Sequence, residues 1–147
     1  MKLLDRHGWM TSSLVPVPLE ELGDGAALAI GNDQDPKALL PLQERLELIA
    51  IPFPRYSDGR GFSIARALRE QGYIGTLRAT GALIPDQFAF ALHVGFDEVE
   101  ISDAQAARQP IGQWLQALTL IHDTYQDGVD GAVSILKRRR QAAEAAA

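Results

Sequence analysis

Residues 48–63 read LIAIPFPRYSDGRGFS and join a short apolar run to a polar turn that contains two glycines. The run at 48–51 is apolar on both faces, as a strand buried in a parallel sheet requires. We expect Pro52 and Pro54 to end this strand, because proline has no N–H to donate to a neighbouring strand. A helix is predicted at 62–71, so the stretch indicates one strand–loop–helix unit.

The same alternation of strand and helix recurs before and after this stretch. Predicted strands lie at residues 26–30, 76–80 and 98–101, and predicted helices at 35–45, 86–94 and 109–120. Such alternation calls for right-handed β-α-β crossovers and a parallel sheet. The predicted fold class is therefore α/β, with four consecutive β-α units forming a parallel sheet. Two architectures fit: an open doubly wound sheet, or an arrangement like half of a β/α barrel.

The chain divides into three parts around these units. Residues 1–24 are irregular and contain Pro16 and Pro18, which indicates an extended arm laid across the domain. Residues 25–125 are predicted to form the α/β domain, and residues 126–147 a C-terminal helix and tail. The basic run at 137–140 fits the end of that last helix, where positive charge suits the helix dipole.

Composition narrows the classes of protein to which the chain can belong. Of its 147 residues, 46% are apolar and 22% charged, which is typical of a globular domain. The net charge of −5 argues against nucleic-acid binding. No stretch has the length of a membrane helix and the start lacks a secretory signal, so we expect a cytoplasmic protein that binds no membrane.

Cysteine is absent, and the three histidines lie far apart in the sequence. Without thiolates the chain can form no disulfide, cysteine nucleophile or ordinary iron–sulfur cluster. The histidine spacing matches no zinc motif. We therefore predict no metal and no cofactor, and the sequence leaves open whether the protein is an enzyme.

Two of the predicted strands alternate between apolar and charged residues. Arg78 and Thr80 share one face of the third strand, and Glu98 and Glu100 share one face of the fourth. If these strands are neighbours, their polar faces coincide and place Arg78 beside a glutamate. Such faces fit either a water-facing edge of an open sheet or a polar barrel interior. A self-association surface that completes a barrel, and hence a homodimer, is a further alternative.

The loops that follow the second and third strands carry most of the candidate chemistry, because parallel α/β domains bind ligands at the carboxyl ends of strands. In the first loop Asp58 can stabilise its own turn, while Arg60 offers a bidentate donor for carboxylate, sulfate or phosphate. The helix that follows begins with an N-terminus that favours anions. The predicted anion-binding residues are Gly59, Arg60, Gly61, Ser63, Arg78 and Gln87.

Simpler roles compete with each of these assignments. Asp58 and Arg60 could pair across the turn, with the glycines only shaping it. Asp58 and Asp86 are the candidate catalytic residues, each as a general base. For Asp86 the default role is to cap the start of the third helix.

Several blocks then resemble, in order, one uncharacterised bacterial family. They are FPRYSDGRGFS at 53–63, AR at 65–66, LR at 68–69, GY at 72–73, LRA at 77–79, DQ at 86–87 and GFD at 95–97. The family is a domain of unknown function often labelled a probable sulfite-reduction oxidoreductase, with genes that tend to lie beside those for the sulfite reductase haemoprotein. Thr76 departs from its pattern where an acidic residue is usual, and His93 where a basic one is expected.

The resemblance implies a pathway rather than a mechanism. Sulfite reduction normally uses a sirohaem coupled to an iron–sulfur cluster, which a chain without cysteine cannot hold. The first hypothesis is therefore an accessory protein of assimilatory sulfite reduction that binds a small oxyanion or docks on the reductase haemoprotein. The second is a small enzyme acting on an anionic metabolite with an aspartate base, and the third a non-catalytic partner or scaffold of the reductase.

Overall fold

The computed structural model describes residues 1–122, with side chains to residue 119. The predicted helix and tail at 126–147, with the basic run at 137–140, lie outside the described residues. The strands are β1 Lys2–Asp5, β2 Gly8–Met10, β3 Ala27–Ala29, β4 Leu48–Phe53, β5 Thr76–Gly81 and β6 Glu98–Ile101. The α-helices are α1 Arg60–Glu70, α2 Phe88–Val94, α3 Asp103–Arg108 and α4 Ile111–His122. No helix among the described residues is long and apolar enough to span a bilayer.

The six described strands form one mixed sheet in the order β2-β1-β6-β5-β4-β3. The four strands β3 to β6 are parallel and adjacent in chain order, which confirms the predicted series of β-α units. A doubly wound sheet reverses its strand order part-way, and this sheet does not. The doubly wound alternative is therefore wrong. Crossovers of one hand that all advance in one direction place their helices on one face, as in half of a β/α barrel.

The core lies between this sheet and its helices. Leu4, Val99, Ala79 and Ile51 form one row across four strands on the face that packs against the helices, and each is fully buried. Sequential pairing of parallel strands thus gives a continuous apolar face, which is the main source of stability in such a domain.

Residues 2–10, expected to be part of an extended arm, are instead two strands of the sheet. β1 pairs antiparallel with both β6 and β2, and Asp5 accepts a hydrogen bond from the backbone N–H of His7 in the intervening turn. The sequences of these two strands, KLLD and GWM, show no alternation of apolar and polar residues that would indicate a strand.

Residues 11–17 connect opposite edges of the sheet. Val17 pairs with Leu28 beyond β3, so six steps separate it from β2: five between the strands and one more to Val17. In a flat sheet those steps span ~29 Å, whereas the seven residues from Met10 to Val17 reach at most ~25 Å. The sheet must therefore curve, and we infer that the connection crosses its concave side, opposite the helices, where the distance between the edges is shorter.

Two predicted boundaries were wrong, both at prolines. The predicted helix at 35–45 is a short 3-10 helix, Pro36–Leu39, followed by turns, because Pro41 cannot continue a helix. Strand β4 continues through Pro52 to Phe53. The carbonyl of Ala50 accepts from Ile30, so Pro52 also faces the β3 side, where β3 has already ended and no N–H is needed.

Candidate functional site

The loops after β4 and β5 meet at the carboxyl ends of the strands. Gln87 donates from Nε2 to the carbonyl oxygen of Tyr56, which ties the second loop to the first. The Oε1 atom of Gln87 accepts from the backbone N–H of Ile84. This hydrogen bond caps the start of the 3-10 helix Pro85–Gln87, which leads into α2. Gln87, rather than Asp86, makes the capping hydrogen bond, while Asp86 places its acidic group in the first turn, where it suits the helix dipole.

In residues 54–60, which we call the rim turn, the carboxylate of Asp58 is fully hydrogen-bonded. Oδ1 of Asp58 accepts from the backbone N and Nε of Arg60, both at 3.1 Å, and Oδ2 accepts from Nη2 at 2.9 Å. Asn32, in the turn after β3, donates to the same Oδ2 at 2.8 Å. The simpler alternative, a pair across the turn, is what the structure shows.

This pairing sets the chemistry of the rim turn. The hydrogen bonds from the Arg60 side chain and backbone, with a smaller one from Asn32, lower the pKa of Asp58 to about 2. The same contacts raise the pKa of Arg60. A carboxylate with so low a pKa is a poor proton acceptor at neutral pH, so Asp58 does not have the properties of a general base.

Gly59 and Gly61 are not needed for an unusual backbone conformation. Neither Gly59 nor Gly61 has a positive φ. A Cβ at Gly61 would lie 2.5 Å from the ring of Phe53, so this glycine allows α1 to pack closely on β4. Gly59 has open space around it, and Ser63 is exposed in the first turn of α1. Of the predicted anion-binding residues in this stretch, Gly61 therefore serves packing, whereas Gly59 and Ser63 are surface positions.

Asp86 lies in a separate groove of about 320 Å³ between the loop after β5 and helix α4. Its other wall carries the side chains of Gln109, Gln113 and Gln116. Amide groups and one exposed carboxylate offer hydrogen bonds, but the groove contains no basic residue that could clamp an anion. Asp86 therefore does not face Arg60 or Arg78 across the rim, as a shared catalytic site would require.

Arg78 occupies the concave face of the sheet. Register places Asp5, Glu98 and Arg78 in one row across β1, β6 and β5. Nε of Arg78 lies 3.5 Å from Oε1 of Glu98, and Nη1 lies 3.6 Å from Oε2 of Glu100. The predicted neighbourhood of Arg78 and a glutamate is confirmed. We call Asp5, Arg78, Glu98 and Glu100 the concave charge cluster.

Arg78 and Glu98, at the centre of the cluster, are buried and Glu100 is partly exposed, which argues against the alternative of a water-facing edge. Arg78 is 2% exposed and Glu98 4% exposed, on strands in the middle of the sheet. Both ion-pair distances exceed hydrogen-bond length. Within the described residues, Nε and Nη2 of Arg78 and Oε2 of Glu98 have no hydrogen-bond partner. Burial raises the pKa of Glu98. The positive charge of Arg78 lowers this pKa, and the negative charges of Asp97 and Asp5 raise it further.

The structure thus brings Asp58, Arg60 and Gln87 together at the rim and leaves Arg78 on another face of the sheet. Each arginine has its own acidic neighbour. Sequence reasoning missed Asn32 and Asp5. Asn32 follows a predicted strand, so the strand-end rule could have found it. Asp5 lay in a segment that was not predicted to join the sheet.

The chain is therefore a curved α/β domain of sequential parallel strands with a braced rim turn. Within residues 1–122 no group of three or more His, Cys, Asp and Glu side chains could hold a metal ion. A family model described as bacterial protein of unknown function (DUF934) matches residues 27–136, and the chain belongs to that family. Comparisons with curated proteins and with solved structures each gave no match.

Proposed function

We propose that this protein is a non-catalytic accessory protein of assimilatory sulfite reduction that docks on the sulfite reductase haemoprotein through the rim turn. The observation that carries the proposal is the exposure of Tyr56, which is 60% accessible in a turn whose Asp58 carboxylate and Tyr56 carbonyl are already hydrogen-bonded. The pathway rests on the sequence resemblance, and membership of the family supports that resemblance.

The rim turn has the properties of a docking element. Tyrosine and arginine are enriched in the centres of protein interfaces, and Tyr56 stands between exposed Arg55 and Arg60. Hydrogen bonds from Asn32 and Gln87 hold the turn in place before a partner arrives. Association then loses less conformational entropy than it would with a mobile loop.

The geometry favours docking over catalysis. Asp58 is held as an ion pair by Arg60, and its low pKa removes it as a base near neutral pH. Asp86 lies in a different groove without a basic partner. The two candidate catalytic residues therefore do not act on one shared substrate.

Binding of the reductase haemoprotein to the native chain and to two variants tests the docking surface. We expect Tyr56→Ala to weaken binding at least about 10-fold, because a buried aromatic anchor contributes more than ~1.4 kcal/mol to an interface. The matched control is Ile74→Ala, whose side chain is 57% exposed just before β5, at the opposite end of the strands. Equal affinities for all three proteins would contradict the proposal.

The oxyanion alternative is tested on the same turn. The Nε–Nη2 edge of Arg60, which would bind an anion with two hydrogen bonds, is already taken by Asp58, so docking predicts no heat of binding with sulfite, sulfate or phosphate. A calorimetric signal that disappears in Arg60→Ala would replace docking by oxyanion binding.

The pathway is tested in cells. Deletion of the gene should prevent growth on sulfate or sulfite and allow growth on sulfide. Normal growth on sulfite would remove the assignment to sulfite reduction, whatever the rim turn binds.

A further inference from the structure

We propose that the concave face of the sheet binds a small zwitterionic α-amino acid, with its carboxylate on Arg78 and its ammonium group on Glu98 and Asp5. This site is separate from the rim turn and does not depend on the proposed docking function. Three features of the concave charge cluster carry the inference: unpartnered donors, a surplus of acids and a neighbouring strip of small side chains.

The donors are on Arg78. Its Nε and Nη2 atoms form the edge of the guanidinium that binds a carboxylate with two parallel hydrogen bonds. Neither atom has a hydrogen-bond partner among the described residues, although the side chain is only 2% exposed. A buried donor without an acceptor is destabilising, because it has lost its hydrogen bonds to water without replacement. A ligand carboxylate would satisfy both donors at once.

The acids exclude a simple anion as the ligand. The cluster holds one guanidinium and three carboxyl groups: Glu98 and Glu100 lie 3.5 and 3.6 Å from Arg78, and Asp5 is paired with Glu98 in register, so the cluster has surplus negative charge. An inorganic oxyanion would add to that charge, whereas an ammonium group offsets it. Oε2 of Glu98 has no hydrogen-bond partner within the described part of the chain and is an acceptor for such a group. A ligand with both charges fits the cluster better than either charge alone.

Small side chains continue the same row beyond Arg78. Register pairs Arg78 with Ala50 and Ala50 with Ala29, while the adjoining row holds Ala27 beside the larger Leu48. Methyl groups rise least above the sheet, so the ligand's own side chain lies over these alanines. The cluster thus presents a charged half for the α-carbon groups and an apolar half for a short side chain.

By inference from its length, the connection at 11–16 lies over the concave side and limits access to it. Thr11, Ser12 and Ser13 are exposed, and the segment is joined to the sheet at Val17 by backbone hydrogen bonds of 3.2 and 2.8 Å. We infer that this connection moves aside when the ligand enters, because the atoms of Arg78 are otherwise inaccessible.

Calorimetry on the full chain with L-alanine, L-serine and L-cysteine tests the site. We expect at least one of the three to bind. Propionate and ethylamine, which each carry only one of the two charges, should bind at least about 10-fold more weakly, because each leaves half of the cluster unpaired. Failure of all three amino acids to bind would overturn the proposal. So would binding of propionate or ethylamine as tight as that of alanine.

Variants assign the binding to the cluster. Glu98→Gln and Asp5→Asn each remove one acid at nearly constant size and should weaken binding about 10-fold, whereas Glu44→Gln, exposed and remote, should leave it unchanged. Circular dichroism checks that each variant is folded. If one variant does not fold, the other and the two single-charge probes still decide the outcome. Affinity equal to that of the native chain in both cluster variants would overturn the site, as would sulfite that binds more tightly than any amino acid.

Discussion

The rim turn and the concave charge cluster contain the same pair of residue types in opposite environments. At the rim turn, Arg60 and Asp58 are joined by three hydrogen bonds of 2.9–3.1 Å, and the arginine side chain is 63% exposed. In the cluster, Arg78 lies 3.5 and 3.6 Å from its two glutamates and is almost fully buried. The ion pair at hydrogen-bond distance is exposed to water, and the ion pair with the longer distances is buried.

The difference shows that an arginine beside an acid does not define a function. An exposed pair contributes little because water already solvates both charges. A buried pair is costly when its hydrogen bonds are incomplete, since neither partner recovers the solvation that it lost. Unsatisfied groups therefore mark the concave charge cluster, rather than the rim turn, as the place where a small ligand would gain most.

The largest expected effect is on stability, and it follows from removal of Arg78. We expect Arg78→Ala to lower the free energy of unfolding by about 3 kcal/mol at pH 8, because Glu98 is left as a buried unpaired charge. Arg60→Ala should leave the unfolding midpoint almost unchanged. Urea unfolding monitored by circular dichroism measures both.

A double replacement separates charge from packing. Arg78→Met together with Glu98→Met should recover most of the stability lost in Arg78→Ala, because two apolar side chains leave no buried charge unpaired. Equal midpoints for Arg78→Ala and Arg60→Ala would show that the two regions do not differ as described.

Much of the fold could be predicted from the sequence, because apolar runs and helix boundaries are local signals. The strand at 98–101 was correct at both ends, and the helix predicted at 62–71 begins two residues earlier as α1. The hairpin at 2–10 could not be predicted, because its short strands are stabilised by pairing with β6, near the other end of the domain. Curvature likewise depends on the connection at 11–17, which has no periodic pattern.

The candidate site was predictable only where alternation within a strand decided it. The register that places Arg78 beside Glu98 follows from adjacent strands with matching polar faces. The depth of burial does not follow, because it depends on tertiary cover. Arg69 illustrates the limit: its guanidinium donates to the carbonyls of Gly95 and Tyr73 and to the carboxylate of Asp97, contacts between distant segments that no local pattern contains.

A smaller effect is expected in how folding stability depends on pH through Glu98 of the concave charge cluster. Burial raises the pKa of Glu98 in the folded state above its unfolded value. The folded state therefore holds the Glu98 proton more tightly than the unfolded state does. The stability that this proton contributes is complete below the unfolded pKa and is lost as pH rises through the folded pKa.

Comparison with Glu98→Gln isolates this contribution. The variant should gain stability relative to the native chain as pH rises above about 4, the ordinary pKa of a glutamate. Urea unfolding at a series of pH values measures the difference. For Glu44→Gln the difference should stay constant with pH. A Glu98→Gln difference that is also constant would mean that Glu98 titrates normally and that the cluster is solvated.

The smallest expected effect is on the rim turn, where titration is more sensitive than stability. The carboxyl of Asp58 should titrate near pH 2 by NMR, because hydrogen bonds from Arg60 stabilise its ionised form. Folding lowers this pKa, so the associated stability is present above the unfolded value and is lost only as pH falls through about 2.

Replacement of Arg60 tests the cause of that low value. In Arg60→Gln the midpoint should rise toward the ordinary value of ~4, and in Asn32→Ala it should rise less, since the Asn32 hydrogen bond lowers the pKa less than those from Arg60 do. A native midpoint near 4 would contradict the pairing. Arg60 would then be able to hold an external anion at the carboxyl ends of the strands, and the contrast between the rim turn and the concave charge cluster would be lost.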